Sequence, residues 1–355
     1  MNDASDGQVP PATHERRAAR KKGSAARLIR LSTQFLDWSL IQLASVRLPP
    51  VNGFEEALCF LGSSEFIPTE SQPAGIDFHP RNGGLDFRFP APRPCAFPEN
   101  NTVYGRLYRS SERWESQPAI VLLHGGYDVL NHRFRFPSIA RLCNRAGINT
   151  ATLELPYHFQ SRPRQLMGVG DLDYLQLAEA FAQGVAETRA LTGWLLERGC
   201  PMVALWGFSW GAWLAGLAAC HDARPTALVL AMPAVRMSIL SAEAVLWPRI
   251  REAWQKRQGP WQRLNLTPMN LVTSRPKLPK NNILLIEAIH DLCVGSQPAE
   301  DLWKSWGEPE IWRLPHGHAT AMMSPSIPKR VVGWLAPRSG SMQPRLSLIC
   351  PSANW

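Results

Sequence analysis

The sequence predicts an α/β protein with a mostly parallel central sheet and helices on both of its faces. Three observations carry this expectation. Short apolar runs recur along the chain: AIVLL from 119, MVALWGF from 202, ALVLA from 227 and NILLIEA from 282. These runs are apolar at consecutive positions, as strands buried on both faces must be. Segments of helical spacing separate them, which is the alternation of a parallel sheet joined by crossovers. With 355 residues, 45% of them apolar, the chain can bury one sizeable core or at most two small domains.

Taken in order, residues 1–25 read as a disordered basic tail, small, polar and charged. A helix is expected over about 27–46, ended by Pro49-Pro50. Leu31, Phe35, Trp38 and Ile41 fall on one of its faces, while Leu36 and Leu40 fall off it, which favours a helix packed on the body. After the basic run RRAARKK, the same helix is also a candidate for peripheral contact with an anionic membrane. Residues 26–100 thus hold this helix and an irregular, Pro-, Gly- and Asn-rich edge region, with an extended piece at LDFRFP (85–90). The main α/β domain is expected over 101–336, opening with a strand at TVYGRLY (102–108) and regular in its alternation from 119. Strands are expected in 119–126, 146–155, 202–209, 227–234, 282–290 and 310–315, and helices around 139–146, 171–198, 210–220 and 326–335. Residues 235–281 interrupt the rhythm and read as a small lid carrying Trp247, Trp254 and Trp261. Beyond 337 a Pro- and Ser-bearing tail follows.

The formal charge is +9, but the first thirty residues hold seven Arg or Lys against three Asp or Glu and supply +4 of it. The body is only mildly basic, so no nucleic-acid partner is expected, and no zinc-finger, RNA-recognition or helix-turn-helix signature is visible. Seven scattered cysteines without a C-x-x-C pair speak against a disulfide scaffold or zinc site and for a reducing compartment. No apolar stretch reaches the length of a membrane span, and no secretory signal opens the chain, so a cytoplasmic protein, in part membrane-associated, is expected. The chain lacks G-x-G-x-x-G, a Walker loop and H-E-x-x-H, so neither a cofactor nor a metal is expected.

The sharpest motif is GFSWG, residues 207–211, directly after the apolar run VALW and before a helix rich in small residues. A serine hydroxyl needs activation, and a tight strand-to-helix turn projects its oxygen away from the backbone. Gly207 and Gly211 suit such a turn, because helix and strand pass closely there. Ser209 is therefore the candidate nucleophile, at a helix start whose free N–H groups favour negative charge. His124-Gly125-Gly126 follows the strand from 119. The N–H of Gly126 or Tyr127, with that of Trp210, is the candidate oxyanion hole, and His124 is expected to brace the loop. Asp291 follows the strand at 282–290 and is the candidate acid, with Glu287 as its alternative. His318, after EIWRLPHG, is the candidate base, with His316 as a rival. Tyr157 and His158 are candidates for lining the substrate pocket, or else for packing a loop against the lid. His132, Arg133 and Arg135 are weaker candidates for an acidic group of the substrate and fit a solvated helix face better.

With these residues in place, the chain resembles the α/β-hydrolase superfamily over roughly 100–336. HGGY, LELPYHFQSRPRQ and GFSWG look like the abhydrolase-domain branch, in which LE-x-P-x-Y-G often follows the second parallel strand. Here Leu153, Glu154 and Pro156 match, and Tyr157-His158-Phe159 departs. Trp210 also stands where many relatives have a smaller residue, and crowding of one wall is expected from it. The resemblance implies an α/β-hydrolase fold with a small lid insertion, and nucleophile, acid and base roles for Ser209, Asp291 and His318. The order serine, acid, histidine is the one this fold uses. The expected activity is serine hydrolysis of a partly apolar carboxylic ester or thioester through an acyl-enzyme. A non-catalytic interaction protein that retains the fold is the alternative, and a serine peptidase or acyltransferase a weaker one. The sequence leaves the oligomeric state open.

Overall fold

The computed structural model describes residues 12–43, 52–67, 75–81, 83–126, 131–166, 168–236, 263 and 267–339. Its centre is a nine-stranded sheet in the order β1-β2-β3-β5-β4-β6-β7-β8-β9. β1 (Asp77–Arg81), β2 (Gly84–Pro90) and β3 (Thr102–Tyr108) form an antiparallel edge, and β3 runs antiparallel to β5 (Asn149–Leu153). The rest is parallel: β5, β4 (Ala119–Leu123), β6 (Val203–Phe208), β7 (Ala227–Ala231), β8 (Ile283–Ala288) and β9 (Glu310–Leu314).

Every residue of β4 to β8 is buried, which is why β4, β6, β7 and β8 are largely apolar runs, whereas β5 (NTATL) buries Asn149, Thr150 and Thr152 among its residues. Alternate side chains divide between two cores, as the two-residue period of a strand requires. Val121, Leu123 and Leu205 join the helices α2 (Phe54–Gly62), α4 (Tyr174–Glu197) and α5 (Trp210–His221) on one face. Ile120, Leu122 and Trp206 join α3 (Phe136–Arg145) and the C-terminal helix Ser326–Leu335 on the other. Asp173 caps α4 by accepting from the N–H of Gln176, whose own side chain returns a bond to the Asp173 N–H.

Four elements have no counterpart in the sequence expectation: β1, α2, α6 (Gln297–Ser305) and α7 (His318–Met323), which precedes α8 (Ser326–Leu335). All are short, and β1 is exposed at nearly every position, so it lacks an apolar pattern. The N-terminal helix α1 (Ala12–Leu43) begins inside the stretch expected to be disordered, since its Ala, Arg, Lys and Glu are good helix formers.

The docking of α1 inverts its pattern. Thr33 and Asp37 face the body and are buried, whereas Leu28, Leu31, Phe35, Leu36 and Trp38 are exposed. The helix is held to the body by polar contacts, and its apolar stripe points away.

Of the expected lid, residues 237–262 and 264–266, with Trp247, Trp254 and Trp261, lie outside the described residues. The part that follows is core. Met269, Leu271 and Leu278 are buried, and Trp213 Nε1 donates to the Met269 carbonyl at 2.7 Å. Among the described residues no helix is long and apolar enough to cross a membrane. Six of the seven cysteines are free, and Cys350 lies outside the described residues.

Candidate functional site

Ser209 sits between the carboxyl end of β6 and the first turn of α5, at φ 51° and ψ −111°. A residue with a Cβ adopts this region only under strain that the surroundings must hold. Here its N–H donates to the Ala231 carbonyl of β7 at 2.8 Å, and its carbonyl accepts from the N–H of Trp213 at 3.1 Å. The turn leaves no room on either side. A Cβ at Gly207 would lie 2.3 Å from the Gly211 carbonyl oxygen, and one at Gly211 would lie 2.3 Å from the His124 carbonyl oxygen. Both glycines are therefore required by close backbone approach, and the second contact sets the elbow directly against the HGG loop.

That loop is held by His124, fully buried. Its Nδ1–H donates to the Gly125 carbonyl at 2.7 Å, and its Nε2 accepts from the N–H of Leu155 at 3.0 Å. Burial, with His158 and His132 close by, holds its pKa well below the usual value, so the ring is neutral and fixed in one tautomer. Gly126 lies beside the elbow, its Cβ position 3.8 Å from Trp210 Cβ. Tyr127 lies outside the described residues. The Trp210 ring turns onto Phe181, at 4.6 Å between centroids, and onto Trp213. It thus packs on α4, where the sequence suggested crowding of a wall.

At the ends of β8 and β9, Nδ1–H of His318 donates to Oδ2 of Asp291 at 2.6 Å. The other carboxylate oxygen of Asp291 accepts from the N–H groups of Cys293, at 2.7 Å, and Val294, at 2.9 Å. Both side chains are almost wholly buried. The pair thus combines a charge-assisted hydrogen bond with a carboxylate fixed by its own loop. Glu287, the alternative acid, is used elsewhere: it pairs with Arg313 of β9 at 3.1 Å. It lies in β8, one strand register short of the loop that carries Asp291. His316 does not join the pair either; its carbonyl accepts from His290 N–H at 2.9 Å.

Tyr157 and His158 are committed to internal packing. Tyr157 is at φ 62°, its N–H donates to the Asn100 side chain and its ring packs edge-on against Phe97. His158 Nδ1–H donates to the Pro156 carbonyl, and its ring meets that of His124 at 4.9 Å. Both side chains are buried against these partners, and the lid segment that the sequence reading set beside them lies largely outside the described residues. His132 stacks on Phe159, and Arg135 donates to the Ser324 carbonyl at 2.7 Å, which ties α3 to the end of α7.

One residue escaped the sequence reading. Asp37 of α1 is fully buried against the loops of the acid and the base. Its Oδ2 accepts from the N–H groups of His318, at 2.8 Å, and Leu292, at 3.1 Å, and its Oδ1 from Ala319 N–H at 2.9 Å. Burial raises its pKa, and the three amides offset part of the rise. The sole sequence signal was a lone acid in an otherwise apolar stretch, QFLDWSL.

Among the described residues one group of donors is close enough for a metal ion: Asp291, Cys293 and His318, with ligand atoms within 4.8 Å of one another. The Asp291 carboxylate is already engaged by the ring and two amides. Burial, beside the Asp291 and Asp37 charges, raises the Cys293 thiol well above its ordinary value, so the thiolate a metal needs is disfavoured.

Comparison with known proteins agrees with this architecture. Residues 96–262 match the family model described as alpha/beta hydrolase domain containing 18. The acetyl xylan esterase 1 of Thermoanaerobacterium sp. JW/SL YS485 superposes with a TM-score of 0.54, over 83% of this chain and 96% of that one, at 12% identity. The chain has the α/β-hydrolase fold. An esterase of Pyrococcus furiosus superposes with a TM-score of 0.50 over 83% of this chain and 99% of its own, at 15% identity. The uncharacterized protein YdjC of Bacillus subtilis (strain 168) is 43% identical over 44 residues. The match spans 12% of this chain and 38% of that relative's length.

Proposed function

We propose that this α/β-hydrolase is a serine hydrolase that cleaves a carboxylic ester or thioester through an acyl-enzyme. The observation that carries the reading is a strained serine at the carboxyl end of β6 and a buried His318–Asp291 pair at the carboxyl ends of β8 and β9, strands that run in the same direction in one sheet. In this reading Ser209 attacks the carbonyl as His318 Nε2 takes its proton. Asp291 fixes the tautomer that presents Nε2 and stabilises the imidazolium that forms. The N–H of Trp210, with that of Gly126 or Tyr127, receives the oxyanion, helped by the N-terminus of α5. The imidazolium then protonates the leaving alcohol or thiol, and a water activated by the same ring releases the acid. Two solved proteins of similar fold, from Thermoanaerobacterium and Pyrococcus furiosus, are esterases by name, which supports ester chemistry. The site calls for no cofactor.

The test is labelling of the purified protein by a fluorophosphonate, in wild type and Ser209→Ala. Labelling lost in the variant supports the reading and opens an ester and thioester screen. A folded wild type that stays unlabelled would favour the non-catalytic interaction protein.

Peripheral membrane contact through α1 is a second part of the proposal. Its exposed stripe of Leu28, Leu31, Phe35 and Trp38 supports it, in a segment that also carries Arg27 and Arg30. Co-flotation with vesicles containing anionic lipid, lost in Phe35→Ser/Trp38→Ser, is the expected result.

A further inference from the structure

We infer that Asp37, on α1, is a positioning residue of the active site. The inference rests on the serine-hydrolase reading of Ser209, His318 and Asp291.

Asp37 lies more than 250 residues from the groups it holds. One carboxylate joins three backbone N–H groups from two loops: Leu292, the residue after the acid, and His318 and Ala319, the base and its neighbour. Asp291 and His318 hang from the ends of adjacent strands, and each loop has its own freedom. A shared carboxylate removes that freedom by tying the backbone of the acid to the backbone of the base. The same oxygen, Oδ2, accepts from both loops.

The chain is shaped for this contact. Gly317 precedes His318, and a Cβ there would lie 2.7 Å from Asp37 Oδ2 and 2.9 Å from its Cγ. Only a glycine lets the carboxylate approach the amides of the next two residues. Gly317 N–H donates instead to Thr320 Oγ1 at 2.9 Å, which leaves the N–H groups of His318 and Ala319 to Asp37. Another polar contact of α1, between Thr33 Oγ1 and His290 Nδ1 at 3.4 Å, reaches neither Asp291 nor His318. Among the described side chains of α1, Leu28, Leu31, Phe35 and Trp38 are exposed and do not anchor it. A carboxylate buried in this way is costly unless its hydrogen bonds are made. Its place against the two loops is explained by what it orders.

The experiment compares Asp37→Ala, Asp37→Asn and Thr33→Ala in the full chain. Each is measured for fluorophosphonate labelling rate, for kcat and KM on an activated ester, for thermal stability, and for the deshielded His318 Nδ1 proton in the NMR spectrum. A loss of alignment near 1 Å costs about 100-fold in rate. The expected result is a kcat lowered about 100-fold in Asp37→Ala and less in Asp37→Asn, which keeps the shape and one acceptor, with KM within about twofold. The His318 Nδ1 proton is expected to broaden or shift in Asp37→Ala and to stay in Thr33→Ala, whose kcat stays near wild type. The inference is overturned if Asp37→Ala keeps its kcat and its Nδ1 resonance. It is also overturned if Thr33→Ala, at a matched loss of stability, loses kcat equally. If wild type itself is neither labelled nor active, the hydrolase reading fails, and the Nδ1 resonance alone decides the positioning role. Its loss in Asp37→Ala supports that role, and its persistence overturns it.

Discussion

Glu187 lies in the middle of α4, fully buried, where its Oε1 accepts from Gln183 Nε2 at 2.7 Å. Gln183 in turn bonds Asn100, whose side-chain oxygen accepts from Tyr157 N–H. No cation faces Glu187 in this network, and burial pushes its pKa from the ordinary 4.5 up to about 8. The folded chain therefore keeps the proton over a range in which the unfolded chain releases it. Stability contributed by the neutral acid is complete below pH 4.5, declines as pH rises, and is gone above about pH 8. At about 1.36 kcal/mol per pH unit, the interval from 4.5 to about 8 corresponds to about 5 kcal/mol. Glu187→Gln has nearly the shape of the protonated acid, keeps the acceptor for Gln183 and does not titrate. Its stability relative to wild type is expected to rise by about 3 kcal/mol between pH 5.5 and pH 8.5, read from urea unfolding at both values. Parallel pH profiles for the two proteins would refute the reasoning and place an unrecognised cation or water beside the carboxylate.

Three further outcomes follow from the geometry of the site. Asp291→Asn is expected to lower kcat by about 10⁴-fold by presenting the wrong tautomer of His318, whereas Glu287→Gln, which only loosens the Arg313 pair, stays within a few-fold; steady-state kinetics on one activated ester compares them. Ser209→Gly is expected to be more stable than Ser209→Ala by about 1 kcal/mol, because only glycine adopts φ 51° and ψ −111° without strain, and calorimetry of the two inactive variants measures the difference. Gly211→Ala places a methyl group 2.3 Å from the His124 carbonyl, so a melting temperature far below wild type, with loss of fluorophosphonate labelling, is the expected result.

Much of this protein was legible in its sequence because the relevant physics is local. Strands buried on both faces are mostly apolar, so β4, β6, β7 and β8 declare themselves as runs. Helix α8 and strand β3 fall on the residues the pattern marks. GFSWG announces the elbow because a strand meeting a helix that closely admits no Cβ on either side of the serine. Tertiary structure decided what depends on distant partners. Glu287 and Asp291 are both acids near the end of β8, and only the fold sends one to Arg313 and the other to His318. Tyr157 and His158 could line a pocket or pack a loop by sequence alone, and only the fold shows Phe97 and His124 against their rings. Helix α1 has an apolar stripe that sequence logic turns inward, yet it docks by Thr33 and Asp37, because three amides at the ends of two far-off loops need an acceptor. A hydrophobic pattern records how much a residue avoids water, but a hydrogen bond across the fold requires two partners, and a linear sequence does not say which residues will meet.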